Sequence, residues 1–278
     1  MSTSIDTAFI KQFEREVHEA YQRQGSKLRS TVRSVNNVRG ASTTFQKVGK
    51  GTASTKSTHG MVPVMNLDHT NVECTLQDFY AGDWVDHLDE LKTNIPERQV
   101  IAAAGANALG RKTDELIINA LSAASTHVVV EANIGLTKTK IMQAFEIFGA
   151  NDVPDDGQRY AVVGWKQWTE LLALPEFSNA DYVGATSLPY TTATQAKQWL
   201  GTIWIPHSGL PLGANDIRKT FFFHKTAVGH ASGSDVQSDI SWHGDRAAHF
   251  VNNMMSQGAK LIDQAGVVVI ECDETPDE

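Results

Sequence analysis

The sequence predicts an α+β fold, and three observations carry that expectation. An alanine-rich helical period runs from Thr93 or Asn94 to about Ala124, helix and strand patterns alternate between residues 137 and 223, and glycine-punctuated, strand-like pieces fill residues 39–73. Charge is distributed just as unevenly. Residues 22–60 hold eight basic side chains (Arg23, Lys27, Arg29, Arg33, Arg39, Lys47, Lys50 and Lys56) and no Asp or Glu. The whole chain of 278 residues has 24 basic and 32 acidic residues, so this segment stands near +8 and the remainder near −16. A chain so divided can bind copies of itself, basic arm to acidic body, as readily as an outside polyanion.

Taken in order, Ile5, Phe9, Phe13, Val17 and Tyr21 recur every four residues among charged neighbours, which places one apolar stripe along a helix of about five turns. Asp6 suits the start of that helix dipole. The acid-free stretch that follows is rich in Gly, Ser, Thr and Asn and poor in large apolar side chains, so it cannot fold as its own core and needs a partner to become ordered. Residues 43–48 read as a strand, 49–60 as a polar, flexible tip, and 61–72 as a partly alternating return. Such a two-stranded excursion is marginal in water unless it lies on something.

The long helix has Pro96 and Glu97 in its first turn, where both are favourable, and an apolar pattern from Ala102 through Leu116, Ile117, Ala120 and Leu121. Its charges, Arg111, Lys112, Asp114 and Glu115, fall in one short block. Residues 137–148 form a shorter amphipathic helix, and Pro154, Asp155, Asp156 and Gly157 supply turn chemistry. Residues 160–164 read as a buried strand, 165–174 as a helix stopped by Pro175, 199–205 as a second strand and 221–223 as a third. Strands at 240–243 and 266–271 flank a helix-like stretch from Arg246 to about Gln257.

Composition is that of an ordinary soluble globular protein, 41% hydrophobic and 20% charged, with chain enough for one large domain or two smaller ones. No apolar run approaches a membrane span or a signal peptide's hydrophobic region, so a cytoplasmic setting is expected. Cys74 and Cys272 are far apart and in no paired spacing, which predicts buried free thiols rather than a disulfide or a zinc site.

Catalytic patterns fail. Around Gly49, Lys50 and Gly51 the phosphate loop lacks its first glycine, Thr44 standing there, and the dinucleotide fingerprint fails at Ser54. No nucleophile elbow or paired-histidine zinc helix occurs, and Asp152, Asp155 and Asp156 lack calcium-loop spacing and read as a solvated turn. Asp68 with His69 and Asp86 with His87 are neighbours that point different ways. Neither a catalytic residue, a metal site nor a cofactor is expected. The acidic C-terminus, from Glu271 to Glu278, reads as a solubilising tail.

The order of these elements resembles the major capsid proteins of tailed phages, with the Hong Kong 97-type fold. KTAVGHASG followed by DISWHGDRAAHFVNNMMSQGAKLIDQAGVVVIE is similar to the return of such chains to their peripheral domain. STTFQKVGKGTASTK and VPVMNLDHTNVECTLQDFYAGDWVD look like the extended loop and the segment leaving it. The resemblance implies an N-terminal arm at 1–36, an extended β-hairpin loop at 37–78, a peripheral domain with a long spine helix at 79–134 and 230–278, and an axial α/β domain at 135–229. It further implies hexamers and pentamers of this chain in an icosahedral virion head assembled in the host cytoplasm, with packaged double-stranded DNA on the inner face. A portal, a separate scaffolding protein and a decoration protein are its implied partners, and no membrane. Ile5, Phe9, Phe13, Val17, Arg39, Lys47, Lys50 and Lys56 are the candidate inter-subunit contacts. Isopeptide cross-linking of the kind known in the type member would draw on Lys47, Lys50 or Lys56 with Asn252 or Asn253, but most members of the fold lack it. Two rivals remain: an encapsulin-like cellular compartment, and a nucleic-acid-binding protein using residues 22–60 as an arm. The second suffers from a net charge of −8 and from Phe45 being the segment's one aromatic.

Overall fold

A computed structural model describes residues 23–88, 97–130, 134–178 and 197–275. The amphipathic stripe expected at residues 5–21 and the helix start expected at residues 93–96 lie outside them. The chain divides into two compact units. Of the described residues, one unit comprises those within 23–26, 78–112 and 235–255, and the other those within 27–77, 113–234 and 256–275.

The larger unit is built on a six-stranded mixed sheet. Its strands are β5 (Val128–Val129), β6 (Arg159–Val163), β7 (Lys197–Trp199), β8 (Thr202–Pro206), β9 (Ile217–His224) and β12 (Val267–Asp273), in the spatial order β5-β12-β9-β6-β8-β7. The central pair, β12 with β9, is antiparallel over seven residue pairs from Val267↔Phe223 to Asp273↔Ile217. Side chains alternate between the faces of a strand, so continuous apolar runs mark a sheet covered on both sides. Val162, Phe221, Phe223, Val267 and Val269 face one way, onto Ile117, Ile118 and Leu121 of the long helix α1 (Glu97–Ser122). Ala161, Val163, Phe222, Val268 and Ile270 face the other way. There they meet Ile141, Ala144 and Phe148 of α2 (Lys138–Ala150) and Trp168 and Leu171 of α3 (Trp165–Ala173). Thr137 caps α2, its side chain accepting from the backbone N–H of Lys140. Pro175 ends the path of α3 and opens the single turn α4 (Pro175–Ser178), where its missing N–H is no loss.

Also in this unit, β1 (Arg33–Val35) pairs in parallel with the start of β10 (Val228–His243), and β2 (Ser42–Val48) pairs antiparallel with β3 (His69–Thr75). The expected two-stranded excursion is therefore present, but only its root is strand. Residues 51–68 form no strand and are exposed save for the half-buried Gly60 and Leu67.

The smaller unit holds β4 (Gln77–Asp86) from Asp78 on, α1 as far as Lys112, and the far halves of β10 and β11 (Ala248–Leu261). Asn253 on β11 is fully buried, and its Nδ2 donates to the Ala81 carbonyl at 3.1 Å. Gly105 of α1 is needed there, since a side chain would collide with the Asn253 amide.

Two expectations are corrected. Residues 199–205 are not one strand but two: Leu200 and Gly201 both take positive φ, a two-residue turn that reverses the chain between Trp199 and Thr202. A leucine there is uncommon, so only Gly201 signalled the turn. The stretch from Arg246 to Gln257 is not helix but lies mostly in β11. Val251, Asn253, Met255 and Gln257 alternate inward, and the two inward amides, bonded in the interior, hide the period of two from a hydrophobicity reading.

Candidate assembly interface

The ribbon's root is fixed by its own subunit. Phe45, 1% exposed, packs with Cys74, Ala231 and Ile262, and Gly229 stands opposite because a Cβ there would lie 2.6 Å from the Phe45 ring. The basic segment therefore finds part of the partner it was expected to need in its own chain, because three of its few large apolar side chains, Leu28, Val32 and Phe45, are buried there. Beyond the root the tip is bare. Met61, Val62 and Val64 are 95, 75 and 81% exposed, and Met65 is half exposed.

Of the candidate contacts, Lys47 and Lys50 are engaged within the subunit. Lys47 Nζ lies 2.8 Å from Asp263 Oδ1 and Lys50 Nζ 2.8 Å from Asp152 Oδ2. Arg39 and Lys56 are exposed and make no ion pair among the described residues. Ile5, Phe9, Phe13 and Val17 lie outside the described residues. The turn read as solvated is exposed, as expected, and its acids also make ion pairs: Asp152 holds Lys50, Asp155 pairs with Arg159 at 3.8 Å, and Asp156 accepts from His224 at 3.1 Å. The hydrogen bond from Lys50 holds the Asp152 carboxyl below its usual range, and that from His224 does the same to Asp156.

The tail is likewise docked as far as it is described. Arg218 grips Glu274 with two bonds, Nε to Oε1 at 2.6 Å and Nη2 to Oε2 at 2.9 Å, and Gln167 adds a third. Burial alone would raise the Glu274 carboxyl, but these donors outweigh it and hold it below its usual range.

Sequence reasoning missed a polar hub. Asp114, read from the sequence only as one of a short block of charges, is fully buried. Its carboxylate accepts from the backbone N–H of Lys27 and Leu28, each at 3.1 Å, and pairs with His207 Nε2 at 3.1 Å. Gly209 N–H donates to the other ring nitrogen at 3.0 Å, which leaves the proton on Nε2, aimed at Asp114. The signal was present: Asp114 sits three, four and seven residues before Ile117, Ile118 and Leu121, on the apolar stripe itself. An aromatic cluster in the smaller unit also escaped notice, with Trp84 against His243, Phe250 and Arg246, and Trp242 against His87 and His249.

Both thiols are buried and free, as expected, and burial pushes Cys74 up and Cys272 to about 12. Asn253, one of the two asparagines of the cross-linking pattern, is enclosed and bonded within its own subunit. Among the described residues no cluster of His, Cys, Asp or Glu could hold a metal, and no helix is long and apolar enough to cross a membrane.

This geometry, a two-faced core with a basic ribbon projecting from it, is the fold of tailed-phage shell subunits. The chain is similar to a chain of the capsid structure of cyanophage P-SCSP1u, with a TM-score of 0.77 at 16% identity over 99% of this chain and 96% of that one. It is also similar to a chain of Mycobacterium phage Che8 (TM-score 0.71, 18% identity, 94% and 97% covered) and to the capsid of the native GTA particle (0.72, 12%, 98% and 99%). A family model described as phage capsid protein matches residues 5–274, and the chain belongs to that family. No curated protein matches the sequence. The capsid reading and the Hong Kong 97-type fold expected from the sequence thus hold, and neither the compartment nor the nucleic-acid-arm alternative is favoured.

Proposed function

We propose that this capsid protein assembles as hexamers and pentamers into the icosahedral head of a tailed phage, in the host cytoplasm, around double-stranded DNA. A portal, a separate scaffolding protein and a decoration protein are its further partners in this reading. Residues 1–36 act as the arm, 37–78 as the extended loop, 79–134 as the peripheral domain with its spine helix, and 135–229 as the axial domain. The strand Val267–Asp273 joins the axial sheet in this assignment, because it pairs along β9, while the rest of 230–278 stays peripheral. The arm's stripe of Ile5, Phe9, Phe13 and Val17, together with Arg39 and Lys56, meets neighbouring copies.

The observation that carries this reading is the bare tip. Four large apolar residues, Met61, Val62, Val64 and Met65, stand in water at the end of an ordered root, and such exposure in a folded subunit marks a surface that another chain covers. Many modest contacts repeated around a closed shell give large collective stability. Negative-stain microscopy of the recombinant protein, alone and with its scaffold, should show shells or capsomers. Replacing Met61, Val62, Val64 and Met65 together by Ser should abolish them while leaving the melting temperature unchanged. A wild type that stays monomeric under every condition, or a quadruple variant that assembles normally, overturns the reading.

A further inference from the structure

Two of the loop's three lysines already hold acid within their own chain. The acids come from separate places in sequence, Asp152 from the turn between α2 and β6 and Asp263 from the turn between β11 and β12. With Lys47, Lys50 and His224 they line a cleft of about 400 Å³. Lys50 Nζ also donates to the Asn151 carbonyl at 3.4 Å.

Spacing explains the arrangement. Phe45 and Lys47 are two apart on one strand and share a face, so the apolar anchor and the first ion pair lie on the same side of the ribbon. Strand pairing persists to Val48↔His69, and Gly49 N–H still donates to the Asp68 carbonyl at 2.7 Å. Up to that level the ribbon is one stiff ladder. A stiff ladder held at Phe45 alone could pivot, but one held again at Lys47 and at Lys50, by carboxylates on two different turns, cannot. From Phe45 to Lys50 the lever is roughly 16 Å at about 3.3 Å per residue. Both pairs are partly or largely exposed and weak singly. That suffices, since the buried ring has already localised the root and only a rotation is left to restrain.

We propose that Lys47–Asp263 and Lys50–Asp152 form a two-point latch within one chain, which sets the direction in which the extended loop leaves its subunit. The latch stays closed in the shell, so the part of the ribbon beyond Lys50 that binds a neighbouring copy is the tip at residues 51–68. Lys47 and Lys50 are then positioning residues, and the neighbour is met by Lys56 and the apolar run from Met61 to Met65. The closed state in the shell rests on the assembly reading above; the latch in the lone subunit does not.

A carbodiimide test separates the two. The reagent activates a carboxylate, the lysine amine displaces the resulting urea, and an amide forms with net loss of water only where amine and carboxylate already touch. Light and heavy-nitrogen-labelled subunits are mixed in equal amounts, coupled before and after assembly, digested and read by mass spectrometry. Peptides joining Lys47 to Asp263 and Lys50 to Asp152 are expected in both samples, with both halves light or both heavy. Absence of these links in the lone subunit overturns the latch whether or not shells form. Links that disappear on assembly overturn its persistence, and links of mixed isotope in shells place the pairs between copies. A Lys50→Asp variant should fold with unchanged melting temperature yet give misshapen particles, and adding Asp152→Lys should restore them. Equal particles from the single variant and the wild type would also overturn the proposal.

Discussion

Asp114 illustrates how one residue ties distant segments of a fold together. Replacing it by Ala strands two backbone N–H groups and the His207 ring in the interior. Each buried group left without a partner costs about 1–3 kcal/mol, against a domain stability of about 5–15 kcal/mol. Asp114→Ala should therefore lose most soluble expression, and Asp114→Asn, whose amide oxygen still accepts, should lose less; equal thermal melting of both variants and wild type would show that the hub is dispensable. A second pair of substitutions separates pattern from packing. Leu116 and Leu121 both belong to the helical apolar pattern, yet Leu121 is fully buried and Leu116 only half. A carboxylate at Leu121 is forced into the core, whereas one at Leu116 can reach water. Leu121→Asp should be insoluble and Leu116→Asp soluble, as read by the soluble fraction on expression.

At the scale of elements, α1 is a helix of 26 described residues, about 39 Å long at 1.5 Å per residue. Its period and its alanines made it legible from sequence. The β10–β11 hairpin was not, because Asn253 and Gln257 point inward where an apolar residue would have declared a strand. Their amides are satisfied within the subunit, Asn253 by Ala81 and Gln257 by Thr113 and His230, and only three-dimensional neighbours could reveal that. The apolar stripe expected at residues 5–21, outside the described residues, is a different case. Its four-residue spacing gives one apolar stripe, and a helix with a single stripe needs one surface to cover it. Deleting residues 1–21 should leave circular dichroism of a folded subunit and an unchanged melting temperature, with assembly reduced. An unfolded deletion variant would assign the stripe to the subunit's own core.

At the scale of the molecule, hydrogen-bonded carboxylates set the response to acid. Lys50 lowers Asp152, His224 lowers Asp156, Lys138 lowers Glu176, Thr275 lowers Asp273, and Arg218 outweighs burial at Glu274. A carboxyl lowered in the folded state contributes stability above its unfolded pKa of about 4, and that contribution is lost as pH falls through the folded value. Glu170, raised by burial, opposes this. The melting temperature should fall as pH drops below about 4, and Glu274→Gln should flatten the fall. A melting temperature independent of pH across that range would mean these bonds do not survive in solution.

What the sequence determined by itself was whatever depends on near neighbours along the chain. The long helix, the capped helix at Lys138–Ala150, the buried runs at Phe221–Phe223 and Val267–Ile270, the ribbon and the charge division all follow from period, caps and composition over short windows. Tertiary structure alone decided which acid each lysine meets. Asp152 and Asp263 lie 102 and 216 residues beyond Lys50 and Lys47, and a basic segment facing an acidic remainder leaves many pairings equal in charge. The choice falls to packing: once Phe45 enters its pocket beside Gly229, the ribbon's lysines can reach only the carboxylates that the fold has brought to that place.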